Sequence, residues 1–159
     1  MIVSDAGPII IFARIGHLSL LHEVTGSLII PAAVHDEILV NKGGMPGAAE
    51  VAGAAWIQRT VVTDRATLDR LPPGLHAGER EAIALAKEHG AQLLIDEIRG
   101  RRVAMDQQIG VVGTLGILSE AKRLDLITAV RPIIGQMQSR GYRFDRILIR
   151  RFLERIGEA

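Results

Sequence analysis

Four carboxylates, Asp5, Glu37, Glu79 and Asp96, stand on separate segments that a folded chain could bring together. Clustered carboxylates repel one another and raise each other's pKa unless a cation neutralises them. Hard oxygen donors suit Mg²⁺ or Mn²⁺, which keep several waters and commonly bridge to substrate phosphates. A metal held in this way acidifies bound water and stabilises the charge that builds on a phosphodiester. That would be hydrolytic chemistry without a covalent protein nucleophile.

Each acid also has an ordinary explanation. Asp5 can cap the helix behind it, and Asp96 can cap the helix that follows, with Glu97 in its first turn. Glu37 can be an exposed helical residue, and Glu79 can complement the positive end of its helix dipole. The case for a site rests on Asp5 and Asp96 together, because each ends a short apolar strand. Met1-Ile2-Val3-Ser4-Asp5 runs from apolar to acidic and breaks at Gly7-Pro8; Gln92-Leu93-Leu94-Ile95-Asp96-Glu97 repeats the arrangement. Continuous apolar blocks mark strands buried on both faces of a parallel sheet, and open α/β sheets bind ligands just outside the carboxyl ends of their strands.

The elements that must position these acids alternate along the chain. Pro8 opens a helix that runs to Arg14, Gly16 breaks it, and a second spans Leu18 to Val24. Ser27 to Ile30 is a strand closed by Pro31, and Ala32 to Val40 a helix with Val34 and Ile38 inward, carrying Glu37 at the edge of that face. Trp56 to Gln58 with Val61-Val62 reads as a weaker strand, and residues 63–77 as a polar surface excursion. Gly78 to His89 is a strongly patterned helix stopped by Gly90. Beyond the central strand, Arg99 to Gln108 is helical, Ile109 to Gly113 a strand and Thr114 to Lys122 a helix. Ile127 to Ser139, with Pro132 in its first turn, and Asp145 to Ile156, with Ile147, Leu148 and Phe152 inward, are the last two helices. Strands alternating with helices predict a parallel sheet wrapped by right-handed crossovers.

Composition narrows the classes. A chain of 159 residues with 48% hydrophobic and 3% aromatic residues suits one Ala/Leu/Ile-rich α/β domain. No apolar run approaches the roughly 20 residues that span a bilayer, and the N-terminus shows no basic region or cleavage site. The absence of cysteine rules out disulfides and thiolate metal sites and fits a reducing cytoplasm. The net charge of +1 hides an asymmetry: residues 1–96 carry 7 Lys/Arg against 11 Asp/Glu, whereas residues 97–159 carry 12 against 7. An acidic half beside a basic half suits a metal site next to a polyanion-binding surface, but on charge counts alone an ordinary solvated surface is the first explanation. None of the five histidines shows metal-ligand spacing, and the chain has no nucleophile elbow or dinucleotide fingerprint. Gly110-Val111-Val112-Gly113-Thr114-Leu115-Gly116 lacks the lysine of a phosphate loop; close strand-to-helix packing explains its glycines, with the Thr114 hydroxyl as a candidate facing the acids.

Ser4-Asp5-Ala6-Gly7-Pro8, Pro31 to Ile38, Gly78 to Ile83, Ile95 to Arg102 and Gly113 to Leu118 together resemble the PIN-domain family, most closely a subgroup of unknown function among VapC-like toxins. The resemblance spans nearly the whole chain. It implies an α/β, three-layer α/β/α sandwich with a short central parallel sheet, formed by residues 1–159 as one domain with a helical C-terminal extension from about residue 127. It also implies a Mg²⁺- or Mn²⁺-dependent ribonuclease whose acidic positions match Asp5, Glu37, Glu79 and Asp96, with Glu97 as an auxiliary. Members of the family often carry a hydroxyl beside the last acid; here Glu97 stands there, and Thr114 or Ser4 must supply it. VapC-like proteins are commonly homodimers, inhibited by a small antitoxin that covers the acidic groove.

Arg101 and Arg102 are candidates for substrate phosphates or for ion pairs with the acids. Arg143, Arg146, Arg150 and Arg151 can widen a basic track or form a solvated helix face. Aromatic platforms are scarce, so the expected substrate is structured RNA held by shape and phosphates. Two other readings stand beside the nuclease: a catalytically silent module binding RNA or protein, and a phospho-acceptor receiver domain. The receiver fits less well, because it expects an acid pair on the first strand and this pair, Asp96-Glu97, comes late.

Overall fold

A computed structural model describes residues 1–159. Five short strands form one sheet: β1 (Ile2–Ser4), β2 (Leu28–Ile30), β3 (Ile57–Arg59), β4 (Gln92–Leu94) and β5 (Val111–Val112). All pairings are parallel, and the order is β3-β2-β1-β4-β5. Val3, Leu28, Leu93 and Leu94 have no solvent exposure, as their unbroken apolar blocks require of strands covered on both faces.

The chain moves outward from β1 to β2 to β3, then returns to lay β4 on the other side of β1. Right-handed crossovers in opposite directions place helices on opposite faces. Helices α1 (Ala6–Arg14) and α2 (Leu18–Thr25) lead from β1 to β2, and α2 packs against α8 (Thr114–Arg123). On the other side α6 (Ala77–His89) lies against β1 and β4, with α7 (Ile98–Asp106) beside it and against β5. The result is the three-layer α/β/α sandwich. No helix is long and apolar enough to cross a membrane.

Between β2 and β3 the chain forms α3 (Ala32–Asp36), a π-helical turn (Glu37–Asn41) and α4 (Ala48–Ala52). Val34 and Ile38 are fully buried, as their spacing predicts, and the wider turn begins at Glu37. Helix α6 ends where Gly90 adopts a left-handed conformation, φ 59°, which costs glycine little.

Several boundaries differ from expectation. The third strand includes Arg59 but not Val61-Val62, and residues 63–77 contain a short helix, α5 (Arg65–Arg70), capped by the Asp64 carboxylate on the Thr67 N–H. The fifth strand is only Val111–Val112. The helix expected from Ile127 starts later, as α9 (Arg131–Ser139), because its N-terminus is fixed from outside: the Glu158 carboxylate accepts from the Val130 and Arg131 amides at 2.9–3.0 Å. In α10 (Arg146–Arg155) Phe152 points inward, but Ile147 and Leu148 are more than half exposed. The inward stripe is instead Ile149, Phe152, Leu153 and Ile156, the i, i+3, i+4, i+7 set of one helical face.

Candidate active site

Strands β1 and β4 are neighbours in space but lie in opposite arms of the winding, so the crevice beyond their carboxyl ends is the topological switch point where open α/β sheets take ligands. Ser4 pairs with Leu94, and the Asp5 amide donates to the Leu94 carbonyl at 2.9 Å. Asp5 and Asp96 are the residues that follow these strands to that crevice.

Asp5 is buried, and its side chain makes no capping bond to α1, so the capping explanation is not realised. Burial pushes its pKa up to about 7; the Ala6 N–H opposes this, and the charges of Glu79, Glu37 and Asp96 reinforce it. Glu79, in the first turn of α6, is buried too. Its carboxylate accepts from the His76 amide at 3.4 Å, and burial again raises its pKa, with Glu97 and Glu37 adding to the effect. Glu37 is partly exposed and lies 3.8 Å from the Lys42 ammonium. Gly78 lies between two of these acids: a Cβ there would come within 3.3 Å of a Glu37 oxygen and 3.7 Å of an Asp5 oxygen. A bond from the Ala33 amide to the Glu81 carboxylate, 3.3 Å, ties α3 to α6 beside this point.

Asp96 is not the cap of α7; that position belongs to Glu97, whose carboxylate accepts from the Gly100 amide at 2.7 Å. Asp96 reaches instead to the N-terminus of α8. One oxygen accepts from the Thr114 amide at 2.7 Å, and the other from the Thr114 hydroxyl at 2.5 Å. The hydroxyl support that the sequence lacks at Glu97 therefore comes from Thr114, fully buried. Ser4 contributes nothing of this kind, since its hydroxyl donates to the Asp5 carbonyl.

A further donor comes from a residue that sequence reasoning missed. The Tyr142 hydroxyl, at the end of α9, also donates to Asp96, and its ring meets Phe144 edge-on with centroids 5.1 Å apart. Burial and the neighbouring Asp96 charge push its pKa far up. Its only signal in the sequence was the break at Gly141, which adopts φ 85° and turns the chain back toward the sheet.

The four acids share one electrostatic environment without closing on one point: no three acidic or histidine side chains stand close enough to hold a metal ion as they are oriented. Each has turned to a donor of the protein: Asp96 to Thr114 and Tyr142, Glu79 to His76, Glu37 to Lys42. Asp5 has only the Ala6 backbone N–H to set against its burial, and Glu37 only the Lys42 ammonium at 3.8 Å. Oxygen-only donors around a buried, poorly solvated carboxylate match the preference of Mg²⁺ or Mn²⁺.

The arginines divide. Arg101 Nη1 donates to the Ile95 carbonyl at 2.8 Å and lies beside Gly113, where a Cβ would stand 2.9 Å from it and 2.8 Å from an Asp96 oxygen. Arg102 is exposed and lines a separate cavity with Pro72, Glu97 and Asp106. Neither forms an ion pair within 4 Å.

Fold and site define a doubly wound α/β protein with an acidic crevice at its switch point. The chain belongs to the PIN domain family, whose sequence profile matches residues 1–158; members of that family are generally nucleases that use divalent metal ions. The fold is similar to that of a PilT N-terminus domain protein from the hyperthermophilic archaeon Sulfolobus solfataricus P2, with a TM-score of 0.52 and 14% sequence identity over 76% of this chain and 93% of the other. No curated relative matches the sequence.

Proposed function

We propose that this chain is a metal-dependent ribonuclease that hydrolyses RNA phosphodiester bonds, formed by residues 1–159 as one domain. The observation that carries the reading is Asp5, a buried carboxylate at the switch point whose pKa burial and the charges of three other acids raise to about 7 against the single opposing N–H of Ala6. Such a group is unfavourable in a merely structural role. Asp5, Glu79 and Asp96 would hold the divalent ion, with Glu37 as a further ligand or as an acceptor for its waters. Bound Mg²⁺ or Mn²⁺ supplies positive charge against the developing charge of the phosphodiester and makes a water more acidic.

The chain's own residues do the rest. Thr114 and Tyr142 orient the Asp96 carboxylate, as supporting hydrogen bonds orient ligands in metal sites. Lys42 balances Glu37 until an ion is present. Arg101 stands beside Asp96 at a position suited to a substrate phosphate, whereas Arg102 faces another cavity and is better placed for a more distant one. The family resemblance supports a cytoplasmic toxin of a type II toxin–antitoxin pair, a homodimer partnered by a small antitoxin.

The test is cleavage of labelled RNA with Mn²⁺, Mg²⁺ or EDTA, in the unaltered protein and in Asp5→Asn. Cleavage that needs the ion and vanishes in a folded Asp5→Asn protein supports the reading; cleavage undiminished by the substitution overturns it. A catalytically silent module would show no ion-dependent cleavage and no thermal stabilisation by Mn²⁺. A short neighbouring gene whose product binds and silences the protein would support the toxin assignment.

A further inference from the structure

Helices α9 and α10 are tied at both ends: residues 140–145 link them, and Glu158, just beyond α10, accepts from the Val130 and Arg131 amides that begin α9. Between them is a cavity of about 410 Å³, within the ordinary range for small-molecule sites. Arg146, Ile149, Arg150 and Leu153 line it from α10, at the i, i+3, i+4 and i+7 positions of one helical face, and Arg131 and Gln138 line it from α9. Leu153, buried, and Ile149, partly buried, give an apolar floor, and the three arginines around it are exposed. Charge in the cavity is one-sided. Glu154 is its one acidic side chain against three guanidinium groups, and none of the three is in an ion pair. Those groups make a single hydrogen bond within the protein, from Arg131 Nη1 to the Glu158 carbonyl at 3.0 Å. Gly135 stands on the α9 rim between Arg131 and Gln138, and a Cβ there would meet nothing within 4 Å. A glycine inside a helix is destabilising, and no left-handed backbone calls for this one. Its effect is to leave the rim open.

We infer that the cavity between α9 and α10 binds a nucleoside di- or triphosphate. Its phosphates lie on the guanidinium groups of Arg146, Arg150 and Arg131, and its flat base enters at the Gly135 rim to cover Ile149 and Leu153. Gln138 and Glu154 supply hydrogen-bonding groups for the ribose and the base edge. Guanidinium groups are suited to phosphate because their planar fork donates two bonds at once. Three of them against one carboxylate call for a ligand with at least two negative charges, and an apolar floor calls for more than a bare anion. A nucleic-acid strand is a poorer match. The cavity contains none of Asp5, Glu37, Glu79 and Asp96, and the residues of α10 that share a cavity with Asp96 are others, Leu148, Phe152 and Arg155. A strand lying between α9 and α10 would therefore not be led to the carboxylates. The inference is independent of the nuclease reading. A ligand bridging these helices would brace the two elements on either side of Tyr142, giving the chain a nucleotide-sensing site apart from its acidic crevice.

The test is isothermal titration calorimetry of the full chain with ATP, AMP and inorganic pyrophosphate in metal-free buffer. ATP is expected to bind at one site per chain, with AMP weaker by about tenfold or more for want of phosphate contacts. Pyrophosphate should also bind more weakly than ATP, because it has no base to cover the floor. Replacing Arg146→Ala and Arg150→Ala together should weaken ATP by about tenfold or more. Gly135→Glu, an exposed change that favours the helix, sets a carboxylate at the rim and should weaken ATP by a similar factor, about tenfold. Arg151→Ala removes the same charge from an exposed neighbour outside the cavity and should leave ATP binding unchanged. Melting curves check that each variant is folded. Absence of saturable ATP binding overturns the inference, as does undiminished affinity in the folded double variant or in Gly135→Glu. Pyrophosphate binding as tightly as ATP overturns the nucleoside assignment. Displacement of ATP by equimolar short single-stranded RNA overturns it in favour of a nucleic-acid track.

Discussion

The Tyr142 hydroxyl donates to the Asp96 carboxylate across 46 residues of sequence, joining the turn after α9 to the end of β4. Thr114 gives the same carboxylate its amide and its hydroxyl. Three donors on one carboxylate leave little freedom in how it presents its remaining lone pairs. Removing the phenolic donor in Tyr142→Phe keeps the ring against Phe144 and frees one side of Asp96. The loss of a supporting bond to a metal ligand typically costs 10–100-fold in metal affinity or activity. The expected outcome is a rise of about tenfold or more in the Mn²⁺ concentration for half-maximal cleavage, with the KM for RNA little changed. An unaltered Mn²⁺ dependence would show that Tyr142 does not position Asp96.

Asp5 predicts an unusual pH dependence of stability. In the folded protein its proton is held up to about pH 7, against an ordinary value of 3.8. An acid whose folded-state pKa is raised contributes stability below pH 3.8, loses it progressively between 3.8 and about 7, and costs stability above that. At 1.36 kcal/mol per pH unit the full span is about 4 kcal/mol, an upper figure. Metal-free Asp5→Asn should therefore melt several degrees above the unaltered protein at pH 8, with the advantage shrinking toward pH 4. Mn²⁺ should stabilise the unaltered protein at pH 8 and Asp5→Asn much less. Differential scanning calorimetry at the two pH values, with and without ion, measures both effects; equal melting of the two proteins at pH 8 would exclude a strained Asp5.

Gly78 keeps the space between Glu37 and Asp5 open. In Gly78→Ala the new methyl would stand 3.3 Å from a Glu37 oxygen, 3.4 Å from Val34 and 3.7 Å from an Asp5 oxygen. Replacing glycine by alanine in a helix is worth up to about 1 kcal/mol, which offsets the tight contact. The protein should therefore fold with a melting temperature within a few degrees of the original while Mn²⁺-dependent cleavage falls by about tenfold. Cleavage at the original rate would place the reaction away from the Glu37 side of the crevice.

Glu158 ties the end of the chain to the start of α9 through the Val130 and Arg131 amides and to Lys122 through a 3.0 Å ion pair. Hydrogen bonds to charged groups are worth about 1.5–3 kcal/mol. In Glu158→Ala the α9–α10 region should loosen at a cost of about 2 kcal/mol in urea unfolding. Tyr142 follows α9 directly, so the Mn²⁺ requirement should also rise. Stability lost without any change in Mn²⁺ requirement would separate the two effects.

Much of this was legible in the residues themselves. Unbroken apolar blocks at 1–3, 28–30 and 93–95 announce strands buried on both faces, and their alternation with helices predicts a parallel sheet. The acids that end β1 and β4 were recognisable because polar groups at strand ends have few structural reasons to be there. Helix phase in α10 was not legible: Ile147, Leu148 and Ile149 are equally apolar, and only packing against the core selects Ile149.

The order of residue types along the chain already sets which acids reach the crevice, because parallel apolar strands that run into carboxylates deliver them to one edge of the sheet. Tertiary structure alone decided who supports those carboxylates. Thr114 is 18 residues from Asp96 and Tyr142 is 46, and no local pattern encodes contacts at such separations. They exist because β5 lies beside β4 and because Gly141 turns the chain back after α9, so that donors distant in sequence meet an acceptor that water cannot fully reach.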